Sequence, residues 1–144
     1  AIQNRLKIAG TGPEEKQLKK LARGKNIEFL GRISDEELRN LYNRAKALIF
    51  PQIEDFGLVA AEAQACGLPV IAYAGGGARE IVEHGKTGIL FHEQSENALK
   101  AAIEEFKKSA FDRQYIAGRA RRFSKTIFKD KIKEIICTKC QNKI

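Results

Sequence analysis

A chain of 144 residues with 12 glycines, 3 cysteines and no Trp or Met has the size of one domain that can bury a core without metal or disulfide staples. It holds no run near the ~18–20 apolar residues of a membrane-spanning helix, and its opening AIQNRLKIAG lacks the basic-then-apolar layout of a signal peptide. A cytoplasmic protein is expected on those two grounds, and the net charge of +8 sits at one end: residues 1–99 carry 13 basic and 13 acidic side chains and residues 100–144 carry 13 and 5, so a nucleic-acid partner is not expected.

The chain has no initial Met and opens directly on a strand pattern at 5–9, which suggests a fragment of a longer protein. GTGP at 10–13 follows, with glycines that let backbone approach a ligand and Pro13 able to open the helix expected at 14–23. A dinucleotide fingerprint would want a third glycine at Glu15, so a nicotinamide oxidoreductase is disfavoured. A strand at 27–30 leads to GRIS at 31–34, which offers backbone groups and Arg32 to a base or phosphate, or is an ordinary capped turn. Ser34 with Glu37 forms a capping box at the head of a helix over 34–45.

A strand at 46–50 delivers the chain to PQIEDFGLVAAEAQACGLP, with a helix over 57–66 stopped by Gly67 and Pro69. Glu54 precedes this helix and Glu62 lies about one and a half turns inside it, roughly 8 Å along the axis. A helix starting near Phe56 or Gly57 aims free amides and a positive dipole end at the carboxyl ends of the strands, where a diphosphate would sit. Carboxylates beside a diphosphate repel it unless they accept from neighbouring hydroxyls, and sugars and riboses supply such diols. The alternative is two solvent-facing glutamates. Cys66, among small apolar residues, is expected to be a buried thiol.

Strands at 69–73 and 87–91 flank a helix at 77–84, and helices at 95–108, 112–122 and 124–138 complete the chain. The alternation of short apolar runs with helical patterns predicts an α/β fold, a Rossmann-like three-layer parallel sheet with helices on both faces. In the last helix Ile127, Phe128, Ile132, Ile135 and Ile136 recur at helical spacing among lysines, a pattern suited to anionic lipid, to another domain, or to a solvated face. Cys137 and Cys140 form a lone CTKC with only His84 and His92 as further ligands, so no metal site is expected and the two cysteines read as part of a frayed helix end.

The segment EDFGLVAAEAQACGLPVIAYAGGGAREIVEHGKTGILF resembles the glutamate-x7-glutamate region of the large retaining glycosyltransferase family 4, group 1, which includes sucrose synthases and bacterial mannosyltransferases. IAGTGP and FLGRISDEEL are similar to the same family, in order and at the expected separations, so the resemblance covers about residues 5–138. GGAREIV, FHEQSENALKAAI and ARRFSKTIFKDKI are most similar to GDP-mannose-dependent mannosyltransferases of O-antigen, lipopolysaccharide and exopolysaccharide assembly.

The resemblance implies the C-terminal, donor-binding half of a two-domain GT-B enzyme, with residues 1–144 as that domain. An N-terminal domain would receive the acceptor, and the basic helix at 124–144 would cross back to it or lie near a membrane, peripherally at its inner face. It puts Glu54 on the transferred sugar as the catalytic residue, Asp55, Phe56, Gly57 and Leu58 around sugar and diphosphate, and Glu62 on the ribose. Gly31, Arg32 and Ile33 would frame the base, and Gly10 and Thr11 would lie near the phosphates or base. No cofactor or Mg²⁺ is implied. Asp55 departs from the glycine or proline usual before FG, and the family's basic pair would lie upstream of residue 5, so the chain alone is expected to bind nucleotide without turnover. The alternatives are a UDP-sugar donor in the same family and a non-catalytic nucleotide-binding module.

Overall fold

The computed structural model describes residues 5–141, with side chains through residue 138; the Cys140 side chain and residues 142–144 of the expected 124–144 helix lie outside what is described. The elements run β1 (Leu6–Ala9), α1 (Glu15–Leu21), β2 (Ile27–Gly31), α2 (Asp35–Arg44), β3 (Leu48–Phe50), α3 (Leu58–Ala65), β4 (Val70–Tyr73), α4 (Ala78–Ile81), β5 (Gly88–Phe91), α5 (Glu96–Lys108), α6 (Arg113–Ala120), a 3-10 turn (Arg121–Phe123) and α7 (Lys125–Gln141). The expected α/β class with parallel pairing is met: among the described residues the strands form two parallel sheets, β1-β2 and β3-β4-β5. The chain divides correspondingly into a first compact unit ending at Leu41 and a second starting at Tyr42.

In the first unit β1 and β2 pair from Leu6↔Ile27 to Ile8↔Phe29, and the register then shifts so that Ala9 faces Gly31. Gly31 takes φ +66°, open to glycine at no steric cost, and its carbonyl accepts from the Gly10 amide at 2.7 Å. The two loops expected to carry ligand contacts are thus tied to each other. The capping box forms as read: the Glu37 amide donates to Ser34 Oγ at 3.3 Å and the Ser34 amide donates to the Glu37 carboxylate at 2.8 Å. The Ser34 amide, then its hydroxyl, hold the Glu37 carboxyl below its ordinary range.

The second unit carries the core. Ile71 and Tyr73 of β4 and Ile89 and Phe91 of β5 pack with Ala102, Ile103 and Phe106 of α5. By strand alternation Phe50, Val70 and Ala72 face the other side, where α3 and α6 lie against each other and the Phe50 ring lies beside Gly57. Helix α3 ends in a Schellman motif, with the Leu68 amide on the Ala63 carbonyl at 3.0 Å and the Gly67 amide on that of Gln64 at 2.8 Å. A side chain at Gly67 would also press on the Arg113 carbonyl, 2.6 Å from the added carbon. Arg113 in turn donates to the carbonyls of Tyr42 and Cys66, each at 3.2 Å, and so joins two helix ends.

Two expectations are corrected. The helix at 77–84 spans only Ala78–Ile81, because Val82 turns extended and the Glu83 amide is taken by the Thr87 hydroxyl at 2.8 Å. Cys66, the C-cap residue of α3, is half-buried and not fully buried as expected.

Candidate functional site

The loop from Pro51 to Gly57 follows β3, and what fixes it lies on the neighbouring strand. Since β3 pairs with β4 in parallel, the loops after both strands emerge at one edge of the sheet. The loop after β4 is the glycine run Gly75–Gly77. The Gly77 amide donates to the Glu54 carbonyl at 2.9 Å, and carbons added at Gly76 and Gly77 would collide with the carbonyls of Glu54 and Phe56. The glycines are therefore the bed on which the Glu54 loop lies. Gln94 donates to the Pro51 carbonyl at 3.0 Å and Gln52 to the Glu54 carboxylate at 3.1 Å, so the first part of the loop is held.

Gly57, buried and at φ +85°, turns the chain into α3 one residue later than the expected start. No side chain caps that helix. The amides of Ala60 and Ala61 turn back to the Gly57 carbonyl at 3.0 and 3.2 Å, while those of Leu58 and Val59 have no partner among the described residues. Two unsatisfied N–H groups at a positive dipole end have the chemistry to accept an anion. Glu62, on the exposed side of α3, stands further along the same helix. Its negative charge reaches Tyr42, whose hydroxyl is pushed up to about 12 by burial first, then by Glu62 and the Cys66 thiol. Tyr42 therefore stays a neutral donor beside a carboxylate.

In the first unit Gly10 and Thr11 line a cleft of about 250 Å³ at the carboxyl end of β1, together with Pro13, Leu18 and Phe29. Gly31 reaches Gly10 by the backbone bond, and Arg32 is exposed after it. Glu54, Asp55, Phe56, Gly57, Leu58 and Glu62 are brought together in the second unit, and the five other candidates, Gly10, Thr11, Gly31, Arg32 and Ile33, belong to the first. Unforeseen from the sequence were the roles of Gly76, Gly77, Gln52, Gln94 and Phe123, whose ring meets that of Phe56 edge to face at 5.7 Å. A usable signal for the glycines was present: three in a row after the next parallel strand point to a close backbone neighbour. Among the described residues no helix is long and apolar enough to cross a membrane.

Comparison with known proteins gives a consistent picture. The sequence model of the family Glycosyl transferases group 1 matches residues 1–123. An uncharacterized glycosyltransferase of Methanocaldococcus jannaschii is 34% identical over 128 residues, 86% of this chain and 36% of that protein. The GDP-mannose-dependent alpha-(1-6)-phosphatidylinositol monomannoside mannosyltransferase of Mycobacterium tuberculosis is 34% identical over 112 residues, 69% of this chain and 29% of that protein. The solved structure of Anabaena Alr3699/HepE in complex with UDP-glucose superposes with a TM-score of 0.73 at 28% identity, over 96% of this chain and 42% of that one. The chain spans about a third of the length of the curated relatives it matches.

Proposed function

The chain belongs to the group 1 glycosyl transferases, and from that premise we propose that it binds the nucleotide-sugar donor for a retaining hexose transfer, with GDP-mannose the favoured donor. The observation that carries this reading is the juxtaposition, within one unit, of the Glu54 loop, two amides at Leu58 and Val59 without a partner among the described residues, and Glu62 on the exposed side of α3. The amides and the helix dipole suit a diphosphate, and the two carboxylates suit hydroxyl-rich groups on either side of it.

Glu54 is assigned to the transferred sugar, the backbone of Asp55 to Leu58 to sugar and diphosphate, and Glu62 to the ribose. Gly10 and Thr11 are assigned to phosphate or base, and Gly31, Arg32 and Ile33 to the base. In the transfer the bond from the sugar C1 to the diphosphate oxygen breaks with its electron pair staying on the diphosphate. The acceptor hydroxyl adds to C1 on the same face, and its proton passes to the departing diphosphate oxygen. The developing negative charge falls where Leu58 and Val59 present their N–H groups, so the reading calls for no metal or cofactor. Acceptor binding belongs to a second domain in this reading, and α7 is assigned to contact with that domain or with a membrane surface.

Calorimetry of the chain with GDP, GDP-mannose, UDP and UDP-glucose tests the proposal. GDP-mannose is expected to bind, Glu62→Ala to weaken it about tenfold or more, and the chain by itself to transfer no sugar. Absence of binding by all four, or full affinity after Glu62→Ala, defeats the assignment. A UDP-sugar is the second reading, favoured by the likeness to the Anabaena protein held with UDP-glucose, and the same titration separates the two.

A further inference from the structure

The backbone bond from Gly77 holds the Glu54 carbonyl, but three residues separate that carbonyl from the first free amide at Leu58. Between them stands Gly57 at φ +85°, a residue without a side chain to pack and therefore a weak constraint on the turn it makes. Phe56, half exposed, is the one large side chain in that stretch. Its ring meets the edge of Phe123 with centroids 5.7 Å apart and planes at 84°, the arrangement the ring quadrupoles favour.

Phe123 is itself anchored. The Arg122 guanidinium lies 4.7 Å from the centre of its ring, and one end of that guanidinium donates to the carbonyls of Glu80 and Ile81, the last residues of α4. Helix α4 starts directly after Gly77, whose amide holds Glu54. The contacts close a ring: Glu54 to Gly77, along α4 to Arg122, to Phe123, and back to Phe56. We propose that Phe123 is a positioning residue for donor binding, acting through Phe56 to keep the Glu54 loop and the Leu58 and Val59 amides in their binding arrangement. The inference rests on the donor-site reading above, and it gives the 3-10 turn a task within that site.

The test is calorimetry of the whole chain and its variants with two probes. One is GDP-mannose or UDP-glucose, whichever the unmodified chain binds, and the other is the matching GMP or UMP, which lacks the sugar and second phosphate. Phe123→Ala is expected to weaken the nucleotide sugar about two- to tenfold, the worth of one edge-to-face pair, and to leave the monophosphate unchanged. Phe123→Tyr, which keeps the ring, is expected to restore the affinity. Phe56→Ala should produce the same loss, and Phe123→Ala added to it should produce no more.

Equal weakening of both probes, additive losses at Phe56 and Phe123, or no loss at all would each overturn the proposal. Should Phe123→Ala fail to fold, Phe123→Leu keeps the apolar bulk while removing the ring edge and is read by the same criteria. If the unmodified chain binds neither nucleotide sugar, the donor-site reading fails and this inference with it. Normal binding in every Phe123 variant sinks the inference alone.

Discussion

The stretch ending at Leu41 and the stretch from Tyr42 onward each build parallel strands and helices, yet every buried side chain among the described residues lies in the second. The glycines differ as well, although Gly85 and Gly118 of the second unit stand as open as those of the first. A carbon added at Gly10, Gly12, Gly24 or Gly31 would meet nothing within 4 Å, whereas one added at Gly76, Gly77 or Gly88 would strike backbone. In the first unit the conformation is set by local contacts, the Ser34–Glu37 box and the Lys19–Glu15 pair at 2.6 Å, together with the backbone pairing of β1 and β2 that ends in the Gly10–Gly31 bond. In the second, close packing does. Loops laid on a packed sheet are held to fractions of an ångström, which is what a site with several simultaneous contacts needs.

The largest separation between the units should come from truncating apolar side chains. Phe50→Ala, at 1% exposure, is expected to cost about 3–5 kcal/mol in urea unfolding, and Leu21→Ala, at 61%, less than about 0.5 kcal/mol. Comparable losses at both sites would erase the distinction. Next come the glycines: Gly88→Ala drives a methyl into the Val70 carbonyl of the paired strand and should cost about 2–3 kcal/mol. Gly12→Ala should fall within about 0.5 kcal/mol of the parent, and a large loss there would reveal packing around the first loop.

A smaller effect is expected at the capping box, the best-defined local device of the first unit. Ser34→Ala should cost about 1 kcal/mol and should show as early fraying of α2 in amide exchange. The smallest effects are electrostatic. Glu37 is held low by the Ser34 amide and hydroxyl; at Glu83 burial pushes upward but is outweighed by the Arg119 and Tyr115 hydrogen bonds and by the Arg119 and Lys86 charges. Both carboxyls lie below the usual 4.5, so their contributions are complete above that pH and fade as the pH drops through the lowered values. NMR titration should place both midpoints under 4.5, and a midpoint at or above it would remove that group's share.

What sequence alone determined is the set of elements and the loops between them, because those signals act over a few residues. Alternation located all five strands, Ser34 and Glu37 located the head of α2, and Gly67 before Pro69 located the end of α3. Glu54, Glu62 and the helix start between them were legible for the same reason. Contacts between distant positions were decided only by the tertiary structure. Pairing of β3 with β4 puts Gly77 under Glu54, the Thr87 hydroxyl cuts α4 short, and the chain's return through α6 brings Phe123 to Phe56. No local pattern encodes these meetings, since each depends on where two segments far apart in sequence come to rest.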